Sequence, residues 1–356
     1  MSGVILTGHG GPEKLVFRTD LPVPTLLPTE VLIRVSAAGI NNTDINTRIG
    51  WYSKGVKTGT SFESTNASGT RTDEDASWTG TPLSFPRIQG ADCCGRIVAA
   101  GADVSPTRIG ERVLVRTLLT AYTSGTFECW TFGSECDGAF AQYTKAPSTE
   151  VYAVGAPHLS DVELGSVPCA FSTAENMCHR ANVKEGERVL ITGAGGGVGA
   201  AAVQLCKRRG ARVIAVASRD KREYLLGLGA DEVVLRGKSI VDNLGKVSIE
   251  VVLDVVAGPT FSELLDVLKR GGRYATAGAI AGPIVELDVR TLYLKDLSLF
   301  GCTYQDEKVF TNLIGYLERS EIKPQVGQVF KLEDVGRAQE VFQEKNSNGK
   351  LVLEID

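Results

Sequence analysis

A cluster of glycines at the end of an apolar run constrains the fold of this chain more than any other feature. The run reads Arg188-Val-Leu-Ile-Thr-Gly-Ala-Gly-Gly-Gly-Val-Gly199 and continues as Ala200-Ala-Ala-Val-Gln-Leu-Cys-Lys. This pattern predicts a buried strand, a tight turn and the N-terminus of a helix. Glycines are required there because the turn bends sharply and its backbone must approach a phosphate group closely. The helix end then presents free N–H groups to that phosphate.

The spacing within this cluster is that of a dinucleotide-binding turn. The pattern G-x-G-x-x-G fits best with Ala194 in the first place, followed by Gly196 and Gly199. A glycine motif alone is weak evidence, so the neighbouring segments carry part of the argument. We predict that the following residues bind the cofactor: Ala194, Gly195, Gly196, Gly197, Val198 and Gly199.

The segments after the turn complete a Rossmann fold. Apolar runs predict strands at 212–217, 231–235, 249–254 and 272–277, and the intervening segments 220–228 and 262–268 are typical of helices. Strands that alternate with helices at this interval indicate a parallel sheet with helices on both faces. The predicted fold class is therefore α/β, with a doubly wound parallel sheet.

In such a fold, the residues directly after the second strand determine whether NAD or NADP binds. An acidic residue there binds the adenosine ribose of NAD, and a cation suits the additional phosphate of NADP. Here Ser218, Arg219 and Lys221 follow the strand, and arginine is well suited to bind a phosphate. We predict NADP(H) as the cofactor. Two alternatives remain: these cations are the solvated start of a helix, or Asp220 reaches the ribose.

Bulk properties are those of a soluble enzyme. The 356 residues suggest two domains, and a formal net charge of −4 gives no electrostatic case for nucleic acid or an anionic membrane as partner. No apolar run reaches membrane-spanning length, and the first residues lack the pattern of a signal peptide. The eight cysteines are expected to be reduced thiols. We therefore expect a cytoplasmic protein with a small-molecule substrate.

The N-terminal third differs from the middle of the chain. Short β-rich segments separated by Gly, Pro and Asp turns predict a compact β domain. Within it, residues 53–84 form a long insertion rich in Ser, Thr and Gly, which buries too little apolar surface to become well packed. We expect a surface loop there, either a lid over the active site or, slightly favoured, a tolerated insertion. The tail predicts two helices and a closing strand.

At this point the chain resembles the medium-chain dehydrogenase/reductase superfamily along nearly its whole length. The resemblance lies in an ordered series of segments: Pro22-x-Pro24, Glu30-Val-Leu-Ile-Arg-Val, Ala38-Gly-Ile-Asn-Asn-Thr-Asp44, Pro86-Arg-Ile-Gln-Gly-Ala-Asp92, Gly110-Glu-Arg-Val113, Gly138-Ala-Phe-Ala-Gln-Tyr143, the glycine turn and Gly349-Lys-Leu-Val352. It implies a GroES-like catalytic domain from residues 1–157 and 306–356, with a Rossmann domain at 158–305 inserted. It also implies hydride transfer with nicotinamide and assembly as homodimers or homotetramers. By the same analogy, Leu297–Thr303 would form the sheet edge where subunits pair.

The sequence departs from this superfamily at the metal site. In the zinc-dependent alcohol dehydrogenases, three ligands hold a catalytic ion at places that correspond here to Asn41, Ala91 followed by Asp92, and Cys169. Catalytic zinc normally has three protein ligands and an open position. Two of the three are missing, so we predict no metal. The alternative is an unusual site made by Asp92 and Cys169 with Asp44 or Cys93. A structural zinc lobe would need four cysteines, and only Cys129 and Cys136 occur there.

Without zinc, the chain is most similar to the quinone oxidoreductase group of the superfamily. The shared motifs stand as Gly39-Ile-Asn41-Asn-Thr-Asp44 and Arg48-Ile-Gly-Trp-Tyr52. The resemblance implies that Asn41 and Tyr52 face the nicotinamide, with Asn42 or Thr43 as substitutes if the register slips. Asp44 is a further catalytic candidate, with a helix-stabilising or interdomain carboxylate as the alternative. Thr173 and the flexible segment that begins at Gly278 are expected near the nicotinamide.

These residues predict a reaction. Hydride addition to an enone or a quinone develops negative charge on oxygen, which an amide N–H or a phenol O–H stabilises in place of a metal ion. We therefore predict an NADPH-dependent oxidoreductase that reduces a quinone or an activated C=C bond (enone, enal or enoyl) without catalytic zinc. The alternatives are an alcohol dehydrogenase with an altered zinc site and a non-catalytic NADPH-binding protein.

Overall fold

The computed structural model describes residues 1–60 and 72–356 of the chain. The strands are β1 (Gly3–Leu6), β2 (Leu15–Arg18), β3 (Glu30–Gly39), β4 (Arg87–Ile88), β5 (Cys94–Ala100), β6 (Arg112–Val115), β7 (Leu118–Leu119), β8 (Trp130–Thr131), β9 (Tyr143–Pro147), β10 (Val151–Ala153), β11 (Arg188–Ile191), β12 (Arg212–Ala217), β13 (Glu232–Leu235), β14 (Ile249–Asp254), β15 (Leu268–Thr276), β16 (Ser298–Gly301), β17 (Val326–Lys331) and β18 (Lys350–Glu354). The helices are α1 (Asn42–Ile49), α2 (Asp161–Leu164), α3 (Pro168–Arg180), α4 (Gly197–Arg208), α5 (Arg222–Gly227), α6 (Ile240–Leu244), α7 (Phe261–Val267), α8 (Val289–Leu294), α9 (Glu307–Glu318) and α10 (Val335–Glu344).

The middle of the chain forms a Rossmann fold. Its parallel strands follow the order β13-β12-β11-β14-β15-β16, which is the doubly wound arrangement with the first strand of the unit at the centre. Because β11, β12 and β14 are largely buried on both faces, consecutive apolar residues dominate their sequences rather than an alternating pattern. The predicted α/β class and parallel sheet are confirmed. The glycine turn leaves the sheet at the carboxyl end of β11, where such folds bind ligands.

The second sheet is built from both ends of the chain. Its order is β10-β6-β5-β3-β18-β17, and β9 also pairs with β3. The last strand, β18, lies antiparallel to β3, with Val352 opposite Gly39. Val31, Ile33 and Val35 of β3 are fully buried at its core. The GroES-like domain predicted from both chain ends is therefore observed.

One part of the tail packs differently from the predicted division at residue 306. The apolar residues Phe310, Leu313 and Leu317 of α9 are buried in the core that also contains Val189 and Val213 of the Rossmann sheet. Helix α9 therefore shares its core with the Rossmann domain. The two tail helices and the closing strand occur as expected, and β17 is an additional strand that the sequence pattern did not indicate.

The described parts of the 53–84 insertion cross towards the Rossmann domain. The Thr60 N–H donates to the Ile280 carbonyl oxygen at 3.1 Å, and the Trp51 indole N–H donates to the Thr58 carbonyl oxygen at 3.0 Å. Ser53 and Val56 are buried. The Thr60 hydrogen bond joins the first part of this segment to the Rossmann domain, and residues 61–71 of the predicted insertion lie outside the described residues. No helix in residues 1–60 and 72–356 is long and apolar enough to cross a bilayer.

Candidate active site

The N-terminus of α1 is fixed by the carboxylate of Asp44. One oxygen accepts the Asn41 backbone N–H at 2.8 Å, and the other accepts the Ala91 backbone N–H at 3.1 Å. The side chain is buried, and this desolvation raises its pKa to about 7. Because both oxygens bind backbone groups, Asp44 joins α1 to the segment before β5. This geometry fits the alternative that the sequence left open, a helix-stabilising carboxylate, better than a catalytic role.

The amide of Asn41 is fully occupied by protein groups. Its Nδ2 donates to Asp92 Oδ2 at 2.9 Å and to the Gly39 carbonyl oxygen at 3.3 Å. Its Oδ1 accepts from Lys350 Nζ at 2.5 Å. Both N–H groups are thus used, and none remains to donate to a substrate oxygen. The predicted role of Asn41 as the hydrogen-bond donor does not fit this arrangement.

Lys350 and Asp92 form a buried ion pair beside this amide. Nζ lies 3.0 Å from Asp92 Oδ2, with side chains 5% and 0% exposed. The other oxygen of Asp92 accepts the Cys169 backbone N–H at 2.6 Å. The pair therefore connects β18 with the segment before β5 and the first turn of α3. Sequence reasoning missed Lys350 as a site residue, although the Gly349-Lys-Leu-Val run was among the segments of the resemblance.

The three positions that correspond to zinc ligands do not make a site that suits a metal cation. The Lys350 ammonium already binds Asn41 and Asp92, and a fixed positive charge among the donors opposes a second cation. Burial, followed by the charge of Asp92, raises the pKa of the Cys169 thiol, which opposes formation of a thiolate ligand. Among residues 1–60 and 72–356, no group of three or more His, Cys, Asp and Glu residues is arranged to hold a metal ion.

A pair of hydroxyl groups lies on the other side of α1. The Tyr52 hydroxyl donates to Thr43 Oγ1 at 3.0 Å, and the Tyr52 ring packs edge-on against Trp78 with centroids 4.7 Å apart. Burial raises the pKa of the Tyr52 phenol well above its usual value, and the nearby Cys169 thiol contributes to the same shift. Tyr52 therefore remains protonated at neutral pH. Thr43, considered from sequence only as a substitute for Asn41, is the side chain that receives this hydrogen bond.

The glycine turn has the shape that a pyrophosphate requires. Gly193 has φ of +57°, and an added Cβ at Gly199 would lie 2.4 Å from the Gly193 carbonyl oxygen. The turn ends at Gly196, and α4 begins at Gly197, so the free N–H groups of the helix face a narrow crevice. Lys350 also lines this crevice, and its Cδ would lie 3.0 Å from a Cβ added at Gly197.

The two cationic residues after β12, Arg219 and Lys221, have different surroundings. Lys221 is buried, and its Nζ donates to the carbonyl oxygens of Asn346 and Ser347 at 2.9 and 2.7 Å and to Asn348 Oδ1 at 2.9 Å. This ammonium therefore holds the C-terminal loop, and its predicted phosphate contact does not fit. Arg219 is exposed at the start of the next helical turn. Ser218 is hydrogen-bonded to Asp220, which lowers the pKa of that carboxyl group.

The loops at the predicted nicotinamide end are held by hydrogen bonds within the protein. Asp254 accepts from the Thr192 hydroxyl, from the Tyr274 hydroxyl at 2.5 Å and from the Val256 N–H at 2.8 Å. It thus orders the loop after β14. Gly278 lies against this loop, since an added Cβ would approach the Val255 carbonyl oxygen at 3.1 Å. Thr173 forms a side-chain hydrogen bond with Cys169, which places it beside the buried ion pair.

Comparisons with known proteins agree with this arrangement. Residues 27–156 match the alcohol dehydrogenase GroES-like domain, and residues 197–319 match the zinc-binding dehydrogenase domain. The chain is 30% identical to acryloyl-coenzyme A reductase of Metallosphaera sedula over 76% of this chain and 84% of that protein. It is 28% identical to human quinone oxidoreductase over 99% and 97% of the two chains. A crystal structure from Sinorhizobium meliloti, provisionally described as an alcohol dehydrogenase, has 43% identity and a TM-score of 0.88, covering 100% of this chain and 97% of the other.

The two-domain fold, the glycine turn at the start of α4 and the two matching domain families define a nicotinamide-dependent oxidoreductase. The chain belongs to the medium-chain dehydrogenase/reductase superfamily, in its quinone oxidoreductase-like group.

Proposed function

We propose that this protein is an NADPH-dependent reductase of quinones or activated double bonds that works without catalytic zinc. The observation that carries the proposal is the Lys350 ammonium, which binds both Asn41 and Asp92 where zinc-dependent relatives place their metal ligands. The relatives named quinone oxidoreductase and acryloyl-coenzyme A reductase support the same reaction class. Reduced nicotinamide, when bound, supplies a hydride to the substrate carbon.

The cofactor is held by residues on the Rossmann side of the cleft. The turn from Ala194 to Gly199 and the first N–H groups of α4 bind the pyrophosphate. Arg219 binds the adenosine phosphate of NADP, because its guanidinium is exposed at the end of β12 and forks readily onto phosphate. Thr173 and the loop at Gly278 line the nicotinamide end, with Ser218 ordering Asp220 beside Arg219.

Thr43 is the donor to the substrate oxygen in this proposal. Tyr52 donates its own hydrogen to Thr43 Oγ1, which leaves the Thr43 hydrogen free to point at the oxygen on which charge develops. Because burial raises the pKa of Tyr52, the phenol keeps its proton and orients Thr43. Hydride addition would form the new C–H bond and move an electron pair to the substrate oxygen beside Thr43, and a proton from water would complete the product.

A panel of quinones, enones and enoyl thioesters, monitored by NADPH oxidation with and without a chelator, tests the proposal. We expect turnover that the chelator does not change. Thr43→Val should lower kcat about 100-fold, since an oxyanion donor is lost, with the Kd for NADPH unchanged. Thr311→Val, at an exposed position of α9, is the matched control. A stoichiometric metal that is essential for turnover would contradict the proposal, as would full activity of the Thr43 variant.

We also propose a homodimer formed through the edge of the Rossmann sheet. Strand β16 is the terminal strand of that sheet, and large apolar side chains near it are exposed, among them Tyr293, Leu294 and Leu299. Exposed apolar residues beside an unpaired strand edge are typical of a subunit interface.

The eight free cysteines support a reducing, cytoplasmic location.

A further inference from the structure

We propose that the open cleft beside Trp78 is a subsite for an uncharged aromatic group of the substrate. This inference rests on the proposed reductase function and specifies its substrate class. The cleft has a volume of about 770 Å³, and its aromatic walls are Trp78, Phe127 and Trp130. It selects aryl-substituted enones, or quinones with a fused ring, over small aliphatic ones.

The cleft is next to the residues that orient the proposed hydrogen-bond donor, Thr43. Trp78 lines the cleft, and its ring packs edge-on against that of Tyr52 with centroids 4.7 Å apart. Tyr52 in turn donates to Thr43 at 3.0 Å. Thr43 and Tyr52 do not themselves line the cleft, so the proposal has a substrate whose oxygen is bound at Thr43 extend past Trp78, the residue common to both places. Thr303, which follows the edge of the Rossmann sheet, closes the opposite side.

Phe127, which lines the cleft, has an unusual backbone conformation. Its side chain is 67% exposed, and its backbone has φ of +63°, which is unfavourable for a residue with a bulky side chain. The ring lies edge-on to Tyr304 with centroids 5.1 Å apart, so it reaches from the catalytic domain to the Rossmann side. An exposed aromatic ring in a costly conformation at a cleft is best explained by contact with a ligand.

The charged residues that line the cleft disfavour a substrate that is attached to an anionic carrier such as coenzyme A. Glu128 and Glu135 both line the cleft, and Glu135 is fixed by the Thr79 and Thr131 backbone N–H groups at 3.0 and 2.9 Å. Arg87 is the cation among the described lining residues, and its guanidinium binds Asp137 at 3.0 Å. Coenzyme A carries several phosphate charges, which these carboxylates repel. An uncharged aryl group meets aromatic faces and no such repulsion.

The test compares three substrates with the full-length protein and NADPH: 4-phenylbut-3-en-2-one, but-3-en-2-one and acryloyl-coenzyme A. We expect kcat/KM to be at least about tenfold higher for the phenyl enone than for either of the others, since burial of one ring supplies the required free energy. Phe127→Ala should lower kcat/KM for the phenyl enone about tenfold, mainly through KM, and leave but-3-en-2-one unchanged within about twofold. Phe17→Ala, which removes an exposed ring on β2, is the matched control and should change neither value.

Two outcomes overturn the subsite while the reductase function stands. One is reduction of both enones with equal kcat/KM in the parent and the Phe127 variant. The other is a higher kcat/KM for acryloyl-coenzyme A than for the phenyl enone. If no enone or quinone is reduced despite NADPH binding, the proposed function fails. The subsite is then tested separately by calorimetric titration with 4-phenylbutan-2-one, which must bind the parent and bind the Phe127 variant about tenfold more weakly.

Discussion

At the scale of single residues, the Lys350 ammonium holds together the buried polar groups of the candidate site. It neutralises Asp92 and orients Asn41, and all three groups are buried. Ion pairs of this kind need not add stability, but each partner depends on the other because an unpaired buried charge is costly. The pair therefore defines the shape of the active site more than it strengthens the fold.

A double-mutant cycle on Asp92 and Lys350 measures this dependence. Lys350→Met should lower the free energy of unfolding by about 3 to 5 kcal/mol, because it leaves the Asp92 carboxylate buried and unpaired. Asp92→Asn combined with Lys350→Met should recover a large part of that loss. Urea denaturation of the cofactor-free protein gives all four values. Additive effects of the two substitutions would show that the side chains are not coupled.

Cofactor preference is a second property of a single side chain. Arg219→Ala should weaken NADPH binding about tenfold or more and leave NADH binding unchanged, because one charged hydrogen bond to the adenosine phosphate is lost. Arg222→Ala, an exposed arginine three residues further along that pairs with Glu223, is the control. Kinetics with both cofactors provide the measurement. An unchanged ratio of NADPH to NADH efficiency in the Arg219 variant would refute the assignment.

The sequence could predict which residues meet at the site better than it could predict what they do there. Asn41 and Tyr52 were placed by their motifs, and the structure brings both to α1. The use of the Asn41 amide was not predictable, because its partner Lys350 lies 309 residues away in the chain. The contacts of Lys221 with the C-terminal loop were hidden for the same reason. Local patterns carry no information on such long-range hydrogen bonds.

At the scale of elements, the turn between β11 and α4 is the part of the molecule most tightly specified by sequence. Its glycines are needed because backbone atoms on the two sides of the turn almost touch. The strands β11, β12 and β14 were also predictable, since a strand buried on both faces gives an uninterrupted apolar run. Strand β17 was not, because most of its residues are exposed or half-buried and show no apolar run.

Replacement of one glycine tests this requirement. Gly199→Ala should destabilise the protein by about 1 to 3 kcal/mol and weaken NADPH binding, because the new Cβ forces the turn open against the Gly193 carbonyl oxygen. Gly227→Ala is the matched control in helix α5, where an added Cβ has no neighbour within 4 Å. It should stabilise the protein by about 0.5 to 1 kcal/mol. Thermal unfolding and NADPH titration distinguish the two, and equal behaviour would contradict the role of the turn.

At the scale of the whole molecule, the proposed dimer depends on the exposed edge of the Rossmann sheet. Leu299→Lys places a charge at the centre of β16, where the side chain is 38% exposed. We expect the parent to have at least twice the mass of one 38.0 kDa chain and the variant to be monomeric. Val329→Lys, 44% exposed on the edge strand β17 of the other sheet, should leave the mass unchanged. Light scattering after size-exclusion chromatography measures both, and a monomeric parent would exclude the dimer.

The position of β18 also determines when its sheet can close during synthesis. This strand lies between β3 and β17, with Val352 opposite Gly39. The sheet built from both ends of the chain therefore remains open beside Ala37–Gly39 of β3 until residues 350–354 have been synthesised. The Rossmann strands, by contrast, come from one continuous stretch and pair without that delay. Contacts of such high sequence separation slow folding, so we expect closure of this sheet to be a late step.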